Sequence, residues 1–528
     1  MTLDIDNPWI HNPLILVYGP PGSGKSAASR QLAEDLALPF FDLDQEIEKI
    51  SGMSISEIFA LDGETRFREK ERVVLAEMLK IRTCGVIALG GGALLDHDSR
   101  SITERSGVVV CLTANQEVLF ERLFDTPSNR PLLSKDLQQN IENLLRQRLQ
   151  HYASFPRQID TSSLPIEGVS MEIQSRLGWF HVSGMGSGYN VRVNSGSLEY
   201  VGRYLHESGF QGPIALVSDS NVWDFHGRRA VTTLEESGYS VDPCVIPPGE
   251  ANKNISTLAH LWEAFLQAGL ERGSAAVSLG GGVVGDIAGF AAATYLRGIK
   301  WVNIPTSLLA MVDASLGGKT GIDLPQGKNL AGAFHAPHLV LVDPDLLRTL
   351  PETEIRNGLA EVLKHGMIGD EVLFRMCELG WEAVLEQLEI LIRRAISVKI
   401  RQIKADPYEE GPRAALNLGH TLGHALEQVS HYRLRHGEAV AIGMVTAARL
   451  AERLGIAEAG LAERITQALS GLGLPTRIPA GIDPAALEIA MRLDKKRVRG
   501  AVRLTLPVRV GKVRVGVEVP DLGLLIER

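Results

Sequence analysis

The chain has 528 residues, of which 45% are hydrophobic and 22% are charged, and its formal net charge is -9. This length exceeds one ordinary hydrophobic core, so two or three domains are expected. The acidic balance argues against a general nucleic-acid binder, and the absence of any apolar run of roughly 18 residues argues against a membrane-spanning protein.

The start of the chain and its cysteines both indicate a cytoplasmic protein. The first residues, Met-Thr-Leu-Asp-Ile-Asp, lack the basic segment of a signal peptide. Four cysteines (Cys84, Cys111, Cys244 and Cys377) are widely spaced and include no Cys-x-x-Cys pair. This usage is typical of a reducing compartment, and it argues against a thiolate zinc site.

The first part of the chain alternates apolar strands with amphipathic helices. Leu14–Tyr18 is a predicted buried strand, and Lys25–Leu36 has helical spacing. Residues 86–89 and 108–112 are further strands with glycine beside them, and a helical pattern follows at 137–152. This repetition predicts an α/β domain, a parallel sheet with helices on both faces.

A phosphate-binding loop lies between the first strand and the first helix. Residues 19–26, Gly-Pro-Pro-Gly-Ser-Gly-Lys-Ser, fit the pattern G-x-x-x-x-G-K-S. Lys25 would reach the β- and γ-phosphates of a nucleotide, and Ser26 would hold Mg²⁺. Backbone N–H groups at the helix N-terminus would surround the phosphate oxygens. They would come from Gly22, Ser23 and Gly24. The loop predicts nucleotide binding but does not identify the acceptor.

A glycine- and serine-rich stretch at about 178–190 is the best candidate for a domain boundary. A new α/β series follows, with strands at 214–217, 275–279 and 301–304, and helical patterns dominate from about residue 345. The predicted parts are an N-terminal domain (1–175), a linker (176–190), an α/β part (191–345) and a mostly α-helical part (346–528). The linker is placed to within about fifteen residues.

A candidate metal site lies in the helical part. His420 and His424 are spaced i, i+4 and would face the same side of a helix, and His436 and Glu438 follow after a polar turn. Glu361, expected to open another helix, adds a carboxylate. Imidazoles with a carboxylate suit Zn²⁺ and leave a position open for substrate oxygens. Histidines on a helix surface are the alternative.

A glycine-rich turn in the α/β part indicates a dinucleotide. Residues 280–286, Gly-Gly-Gly-Val-Val-Gly-Asp, follow a predicted strand, as expected of a loop over a pyrophosphate. The Gly-Lys-Thr at 318–320 is not a second phosphate-binding loop, because Asp313 stands where its first glycine should be.

Residues 12–165 resemble shikimate kinase over nearly their whole length. The motifs are the phosphate-binding loop, Phe41-Asp-Leu-Asp44, Gly63-Glu-Thr-Arg-Phe-Arg68, Gly90-Gly-Gly92 and Asn129-Arg-Pro-Leu-Leu133. The resemblance implies a P-loop kinase domain that uses ATP with Mg²⁺ and phosphorylates shikimate.

The same resemblance implies roles for individual residues. Asp44 would contact the acceptor hydroxyl and act as a base, and Asp42 would assist Mg²⁺. The substrate would be held by Arg68, Gly91 and Arg148, and Arg130 would belong to a lid that closes on ATP. The alternatives are strand-end solvation for the two aspartates and helix-surface salt bridges for Arg68 and Arg148.

One stretch departs from the family's pattern. The pattern R-x-P-L-Y-x-E-x-A corresponds here to residues 148–156, Arg-Leu-Gln-His-Tyr-Ala-Ser-Phe-Pro. The arginine and the tyrosine remain, but the proline, leucine, glutamate and alanine do not. Closure on the substrate is therefore expected to differ in detail.

Residues from about 181 to the C-terminus closely resemble 3-dehydroquinate synthase. The motifs include Pro247-Pro-Gly-Glu-Ala-Asn-Lys253, the turn at 280–286, Asn357-Gly-Leu-Ala-Glu361, Asn417-Leu-Gly-His-Thr-Leu-Gly-His424 and His436-Gly-Glu438. The resemblance implies an NAD-binding α/β subdomain and a metal-binding helical subdomain. It also implies NAD⁺ and Zn²⁺ or Co²⁺ as cofactors. The implied reaction converts 3-deoxy-D-arabino-heptulosonate 7-phosphate to 3-dehydroquinate and phosphate.

Three sets of site residues follow from this second resemblance. The metal ligands would be Glu361, His420 and His436, with His424 and Glu409 as candidates for proton transfer. Substrate contacts would come from Arg297, Asp313, Lys319, Asn329, Lys364, Lys399, Arg413, Asn417 and one of Lys495 or Lys496. NAD contacts would come from Asp219, Asn221, Glu250, Lys253, Gly281, Gly282, Asp286, Thr306, Ser307, Lys328, Thr349 and Asn357.

Together the two resemblances imply a bifunctional enzyme of aromatic amino-acid biosynthesis. Its partners would be small-molecule substrates, with no nucleic acid and no membrane, and it would form a homodimer through the C-terminal half. The two steps are not consecutive in the pathway, so channelling between the sites is not implied.

Two alternatives stay open. The C-terminal half could be another sugar-phosphate cyclase or a metal-dependent alcohol dehydrogenase, although its many lysines and arginines favour a substrate with phosphate and carboxylate groups. One half could instead be a catalytically idle binding module. The intact Lys25, Ser26 and Asp44, together with the full metal set, argue against this.

Overall fold

The computed structural model describes residues 14–124, 137–409, 411–493, 497–498, 501–519 and 522–526. Arg130, Lys495 and Lys496, which the sequence singles out, lie outside these ranges. The chain forms two compact units that divide after His181. Among the helices described, none combines the length and apolar character needed to cross a membrane.

The first unit is a parallel sheet with helices packed on it. Its strands are β1 (Leu14–Tyr18), β2 (Phe40–Asp42), β3 (Gly85–Ala88), β4 (Gly107–Thr113) and β5 (Gln158–Asp160). Its helices are α1 (Lys25–Leu36), α2 (Leu43–Ser51), α3 (Ile55–Ile81), α4 (His97–Ser106), α5 (Gln116–Phe124), α6 (Leu137–Ala153) and α7 (Ile166–Leu177). The strand order is β2-β3-β1-β4-β5, and all neighbours are parallel. β6 (Trp179–Val182) spans the division between the units.

The apolar run of β1 is explained by burial on both faces of this sheet. Ile15 and Val17 belong to a core that includes residues of α1 and α7, whereas Leu14, Leu16 and Tyr18 belong to a core that includes residues of α2 and α3. All five side chains are at most 1% exposed. A strand covered on both faces needs no polar alternation, so the fold of the N-terminal part agrees with the prediction.

The second unit begins with an α/β part. Its strands are β7 (Tyr189–Val193), β8 (Ile214–Asp219), β9 (Val241–Ile246), β10 (Ala275–Gly280), β11 (Lys300–Pro305), β12 (Lys319–Leu324), β13 (Gly327–Phe334) and β14 (Leu339–Val342). Its helices are α8 (Val201–Glu207), α9 (Ser220–Val222), α10 (Arg228–Glu236), α11 (Ile255–Gln267) and α12 (Gly282–Thr294). Six strands form a parallel arrangement in the order β7-β14-β11-β10-β8-β9, and β12 and β13 form a separate antiparallel hairpin.

The rest of the second unit is mostly helical. Its helices are α13 (Glu352–Gly369), α14 (Glu371–Glu378), α15 (Trp381–Glu386), α16 (Leu388–Ala405), α17 (His420–Val429), α18 (His436–Arg453), α19 (Leu461–Gly471) and α20 (Pro484–Leu493). Three antiparallel strands follow: β15 (Arg497–Val498), β16 (Ala501–Arg509) and β17 (Lys512–Glu518). The α/β subdomain followed by a mostly helical one is the predicted order.

Two local predictions for the helical part were wrong. Glu361 does not open a helix but lies in the middle of α13, which begins at Glu352 after the extended Pro351 and carries acidic residues in its first turn, as the helix dipole favours. The strands β16 and β17 were missed, although Val, Leu and Arg alternate on both sides of Gly511 in the manner of a hairpin.

Candidate active sites

The phosphate-binding loop of the first unit has the predicted context of strand, glycine-rich turn and helix. β1 leads into it and α1 begins at Lys25, with Gly24 in the left-handed region (φ 85°). A Cβ on Gly19 would lie 2.1 Å from the carbonyl oxygen of Leu112, so this position requires glycine. The Lys25 ammonium donates to the carbonyl of Pro20 at 3.0 Å, which holds it within the loop.

Asp42, the last residue of β2, connects this loop to that strand. One of its carboxylate oxygens accepts from the Ser26 hydroxyl at 2.8 Å. The other accepts from the backbone N–H groups of Asp44 and Gln45 and so caps α2. A hydroxyl and a carboxylate at this distance could share one Mg²⁺ ion. Asp44 is the second residue of α2. It lines the same cleft, whose volume is about 590 Å³.

Glu71 is a site residue that the sequence analysis missed. It is 3% exposed, lines the cleft, and pairs with the Arg68 guanidinium at 2.6 Å. Its second oxygen accepts no hydrogen bond from the described residues. Burial raises the pKa of Glu71, while Arg68 lowers it and the Asp44 charge raises it further. The available signal was its i, i+3 spacing from Arg68 on α3.

The glycines after β3 let these side chains approach the backbone closely. A Cβ on Gly90 would lie 2.6 Å from a carboxylate oxygen of Glu71, and one on Gly92 would lie 2.6 Å from the guanidinium of Arg68. Arg148, from α6, donates to the carbonyl oxygen of Gly91 at 3.3 Å. Apart from the buried Ser23, the predicted kinase-site residues that the structure describes line one cleft. Arg130 lies outside the described residues.

The second unit contains a carboxylate facing two imidazoles. One oxygen of Glu361 lies 3.7 Å from Nε2 of His420 and 3.6 Å from Nε2 of His436. That oxygen is buried and accepts no hydrogen bond within the described part of the chain. An orphaned carboxylate oxygen between two imidazole nitrogens fits a divalent cation with three protein ligands.

Close helix packing brings these ligands together. α17 and α18, which carry His420 and His436, cross at glycines: a Cβ on Gly443 would lie 2.0 Å from the carbonyl oxygen of Gly419. Asn357 of α13 accepts a hydrogen bond from the Gly437 N–H at 2.6 Å and so anchors the start of α18. The side chain of Asn357, which the sequence assigned to NAD, therefore positions the residue next to His436, a predicted metal ligand.

Nδ1 of each of these two imidazoles also contacts an oxygen atom of the protein. Nδ1 of His420 lies 3.1 Å from the carbonyl oxygen of Leu418, and Nδ1 of His436 lies 3.2 Å from the carboxylate of Glu427. Both contacts favour a proton on Nδ1, so Nε2 is the nitrogen that a cation would bind, in exchange for any proton it carries. Burial lowers the pKa of His436, but Glu361 and Glu427 outweigh this effect and raise it to about 10.

Replacing Glu427 with alanine should weaken metal binding about 10–100-fold, because His436 loses the carboxylate that orients it. The measurement is the dissociation constant for Zn²⁺ by competition with a chromogenic chelator. Glu463→Ala, on the exposed surface of α19, is the matched control and should bind Zn²⁺ like the parent. An unchanged affinity in Glu427→Ala would contradict the orienting role.

A cleft of about 650 Å³ opens next to the predicted metal ligands. Seven predicted substrate residues line it: Asp313, Lys319, Asn329, Lys364, Lys399, Arg413 and Asn417. The two candidates for proton transfer, Glu409 and His424, also line it. The cleft therefore combines a candidate cation site with basic groups that suit an anionic substrate.

The buried charges around the ligands are paired. Lys364, 1% exposed, forms an ion pair with Glu361, and the ammonium of Lys399 donates to the Asp313 carboxylate at 2.5 Å. Burial raises the pKa of Glu361, but Lys364 and the two imidazoles hold it well below its usual value. Lys319 forms an ion pair with Glu409, a residue in the left-handed region (φ 64°).

The predicted NAD residues lie mainly at the carboxyl edge of the sheet. The N–H of Thr306 donates to the carbonyl of Gly280 at 3.0 Å, and a Cβ on Gly281 would lie 3.6 Å from the hydroxyl oxygen of Ser307. Helix α12 begins at Gly282, so its N-terminal N–H groups are available to a pyrophosphate at this edge.

Lys253 links two further predicted contacts. Its ammonium, 3% exposed, donates to Asp286 and to Asn329, both at 2.5 Å. Burial raises the pKa of Asp286 to about 6, although Lys253 opposes this shift. Lys328 lies 3.8 Å from a carboxylate oxygen of Glu250.

Some predicted NAD and substrate residues contact other groups of the protein or do not line the cleft. Asp219 caps the helix that starts at Ser220 by accepting from the N–H of Asn221, and the hydroxyl of Thr349 contacts His226 at 2.8 Å. Arg297 is exposed, in the left-handed region (φ 66°), and is not among the described residues that line the cleft. Lys495 and Lys496 lie outside the described residues.

Three protein-family models match the chain. One described as shikimate kinase matches residues 21–177. Two described as the N-terminal and C-terminal parts of 3-dehydroquinate synthase match residues 243–357 and 358–497.

Individual proteins are also similar to parts of this chain. A 3-dehydroquinate synthase of Nostoc punctiforme is 45% identical over 342 residues, which cover 63% of this chain and 94% of that protein. A solved 2-deoxy-scyllo-inosose synthase with carbaglucose-6-phosphate, NAD⁺ and Co²⁺ is 29% identical, with a TM-score of 0.61, covering 66% of this chain and 98% of that one. A shikimate kinase of Acinetobacter baumannii, solved with shikimate, is 34% identical, with a TM-score of 0.30, covering 31% of this chain and 92% of that one.

Proposed function

Since this chain belongs to the 3-dehydroquinate synthase family and carries a shikimate kinase domain ahead of it, we propose how its two sites carry out two reactions of one pathway. The chain is a bifunctional shikimate-pathway enzyme. It phosphorylates shikimate with ATP, and it converts 3-deoxy-D-arabino-heptulosonate 7-phosphate to 3-dehydroquinate and phosphate. Its partners are small-molecule substrates.

In the kinase site, the phosphate-binding loop would hold ATP and the carboxylates would hold Mg²⁺ and the acceptor. Lys25 would neutralise charge on the transferred phosphoryl group, and Ser26 with Asp42 would bind Mg²⁺. Asp44 would accept the proton of the acceptor hydroxyl. The acceptor's carboxylate would be bound by Arg68 and Arg148, whose planar guanidinium groups suit two oxygens at once. The observation that carries this proposal is the Ser26–Asp42 contact beside Asp44 in one cleft.

In the synthase site, Glu361, His420 and His436 would hold Zn²⁺ or Co²⁺, and the carboxyl edge of the sheet would hold NAD⁺. When bound, NAD⁺ supplies a temporary hydride acceptor and the metal ion supplies polarisation of a substrate hydroxyl. The ammonium and guanidinium groups of the cleft would bind the substrate's phosphate and carboxylate. His424 and Glu409, which line the same cleft, would transfer protons. The orphaned oxygen of Glu361 between two imidazoles carries this proposal.

A similar solved structure is that of a different cyclase, a 2-deoxy-scyllo-inosose synthase, which raises a second candidate substrate class. The chain is 45% identical to 3-dehydroquinate synthase of Nostoc punctiforme and 29% identical to the inosose synthase. The cleft places Lys364, Lys399 and Arg413 together, which suits a substrate with two anionic groups. Both observations favour the heptulosonate phosphate.

Chelation should abolish phosphate release from 3-deoxy-D-arabino-heptulosonate 7-phosphate in the presence of NAD⁺, because the cation site would be emptied. Added Zn²⁺ or Co²⁺ should restore it, and no net NADH should accumulate. Shikimate phosphorylation, assayed afterwards with excess Mg²⁺, should be unchanged and serves as the control. Stoichiometric NADH would instead identify a dehydrogenase, and no release from metal-loaded protein would point to another cyclase.

We further propose that the chain forms a homodimer through its C-terminal half, as the family resemblance implies, and that it acts in the cytoplasm. The absence of Cys-x-x-Cys pairs agrees with a reducing compartment. Light scattering of the purified chain would test the dimer directly, since a molar mass equal to one chain would contradict it.

A further inference from the structure

The carbonyl oxygen of Gly91 in the kinase site receives an unusual number of donors. The hydroxyl of Tyr152 donates to it at 2.8 Å, Arg148 at 3.3 Å, and the hydroxyl of Tyr18 at 3.3 Å. A Cβ on Gly91 would lie 3.2 Å from the carbonyl oxygen of Gly19, so this backbone also packs on the phosphate-binding loop. The orientation of one peptide is thus fixed from α6 and from β1.

Tyr18 has a second partner that the shikimate kinase pattern does not provide. Its hydroxyl oxygen lies 3.1 Å from Nε2 of His151, at the position where that pattern has leucine. The two rings meet edge to face, with centroids 5.7 Å apart, and Phe155 packs against both. Tyr18 is fully buried, so its hydroxyl depends on these protein partners.

The single hydroxyl proton of tyrosine limits the direction of the hydrogen bonds, because Tyr18 can donate to only one of its two partners, Gly91 and His151. Burial raises the pKa of Tyr18, so the phenol keeps that proton. If the proton is donated to the Gly91 carbonyl, Tyr18 can only accept from His151, and Nε2 must carry the hydrogen. Burial, followed by Arg100 and Arg148, lowers the pKa of His151, so the ring is neutral at neutral pH. The contact to Tyr18 therefore selects the tautomer that carries its hydrogen on Nε2 and not on Nδ1.

We propose that Tyr18 and His151 form a relay, Nε2–H of His151 to Tyr18 and Tyr18 to the Gly91 carbonyl, that positions the glycine turn for shikimate. Both are positioning residues, because they act through Gly91. Donors in series polarise one another, so the contact to Gly91 depends on both side chains. The inference rests on the proposed contact between Gly91 and the acceptor.

The test measures kinase kinetics of the full chain, with the synthase rate of the same preparation as the measure of folded protein. Tyr18→Phe should raise KM for shikimate about 3–10-fold, the effect of one lost hydrogen bond. Values of kcat and of KM for ATP should stay within about twofold. His151→Leu should raise KM for shikimate in the same direction, and His151→Gln, whose amide N–H can still donate, should restore it.

The double variant Tyr18→Phe/His151→Leu separates a relay from two independent packing effects. Its KM for shikimate should be no higher than that of Tyr18→Phe alone, because both changes break one chain of hydrogen bonds. His97→Leu, at a 93% exposed side chain, is the matched control and should leave KM unchanged.

Additive effects in the double variant, an unchanged KM in Tyr18→Phe, or a parallel rise in KM for ATP would each overturn the relay. A parent chain that does not phosphorylate shikimate would instead overturn the kinase function on which the inference rests. If the parent phosphorylates shikimate and the variants have the same KM for shikimate as the parent, only the inference is overturned.

Discussion

Replacing Glu361 with glutamine should lower synthase activity about 10³-fold, because the amide cannot supply the anionic ligand between His420 and His436. A bound metal ion contributes several kcal/mol to stabilising charge in a transition state, and about 4 kcal/mol corresponds to this factor. Metal content after dialysis should fall in parallel. Glu352→Gln, on the exposed side of the same helix, is the control and should keep both activity and metal.

Glu361→Gln also leaves the buried Lys364 without its carboxylate, which could unfold the second unit. His420→Gln separates the two effects, because it removes one metal ligand and keeps the ion pair. Both variants should lose metal, whereas only Glu361→Gln should lose thermal stability. Full synthase activity in a metal-free His420→Gln protein would exclude the proposed cation site.

Replacing Lys25 with methionine should lower shikimate phosphorylation about 10²–10³-fold, which is the cost of removing one preorganised charge from a developing anion. Methionine has nearly the length of the lysine stem, so the loop between β1 and α1 should keep its shape. The synthase rate of the same chain should not change. Lys49→Met, at a 77% exposed side chain of the first unit, is the matched control.

The readout for Lys25→Met is the rate of shikimate-dependent ADP formation, measured first at an ATP concentration that saturates the parent and then at higher concentrations. If the variant regains the parent's rate at higher ATP, Lys25 only binds the nucleotide. Equal activity in Lys25→Met and the parent would contradict phosphoryl transfer at this loop.

Local motifs made the phosphate-binding loop predictable from the sequence. All of its groups lie within residues 19–26, and the strand and helix around them have strong patterns of their own. The role of Glu71 in the site could not be predicted from a local motif. Its importance comes from its burial against Gly90, a contact between distant parts of the chain.

The residues of the proposed metal site could likewise not be selected from spacing in the sequence alone. The i, i+4 spacing suggests His420 and His424 as a pair, and only the family resemblance selected His436. In the structure His436 shares the orphaned oxygen of Glu361 with His420, whereas His424 is exposed and lines the cleft. Spacing reports which side chains share a helix face, but the choice among them depends on the third helix, α13.

The ion pair between Lys364 and Glu361 affects the stability of the second unit in the absence of the proposed metal ion. Zinc fingers are unfolded without their ion, because the free energy of metal binding is also folding free energy. Here the ammonium of Lys364 pairs with the carboxylate of Glu361, the one anionic residue among the proposed ligands. The second unit is therefore expected to stay folded when the metal ion is removed, so that added zinc or cobalt restores synthase activity without refolding.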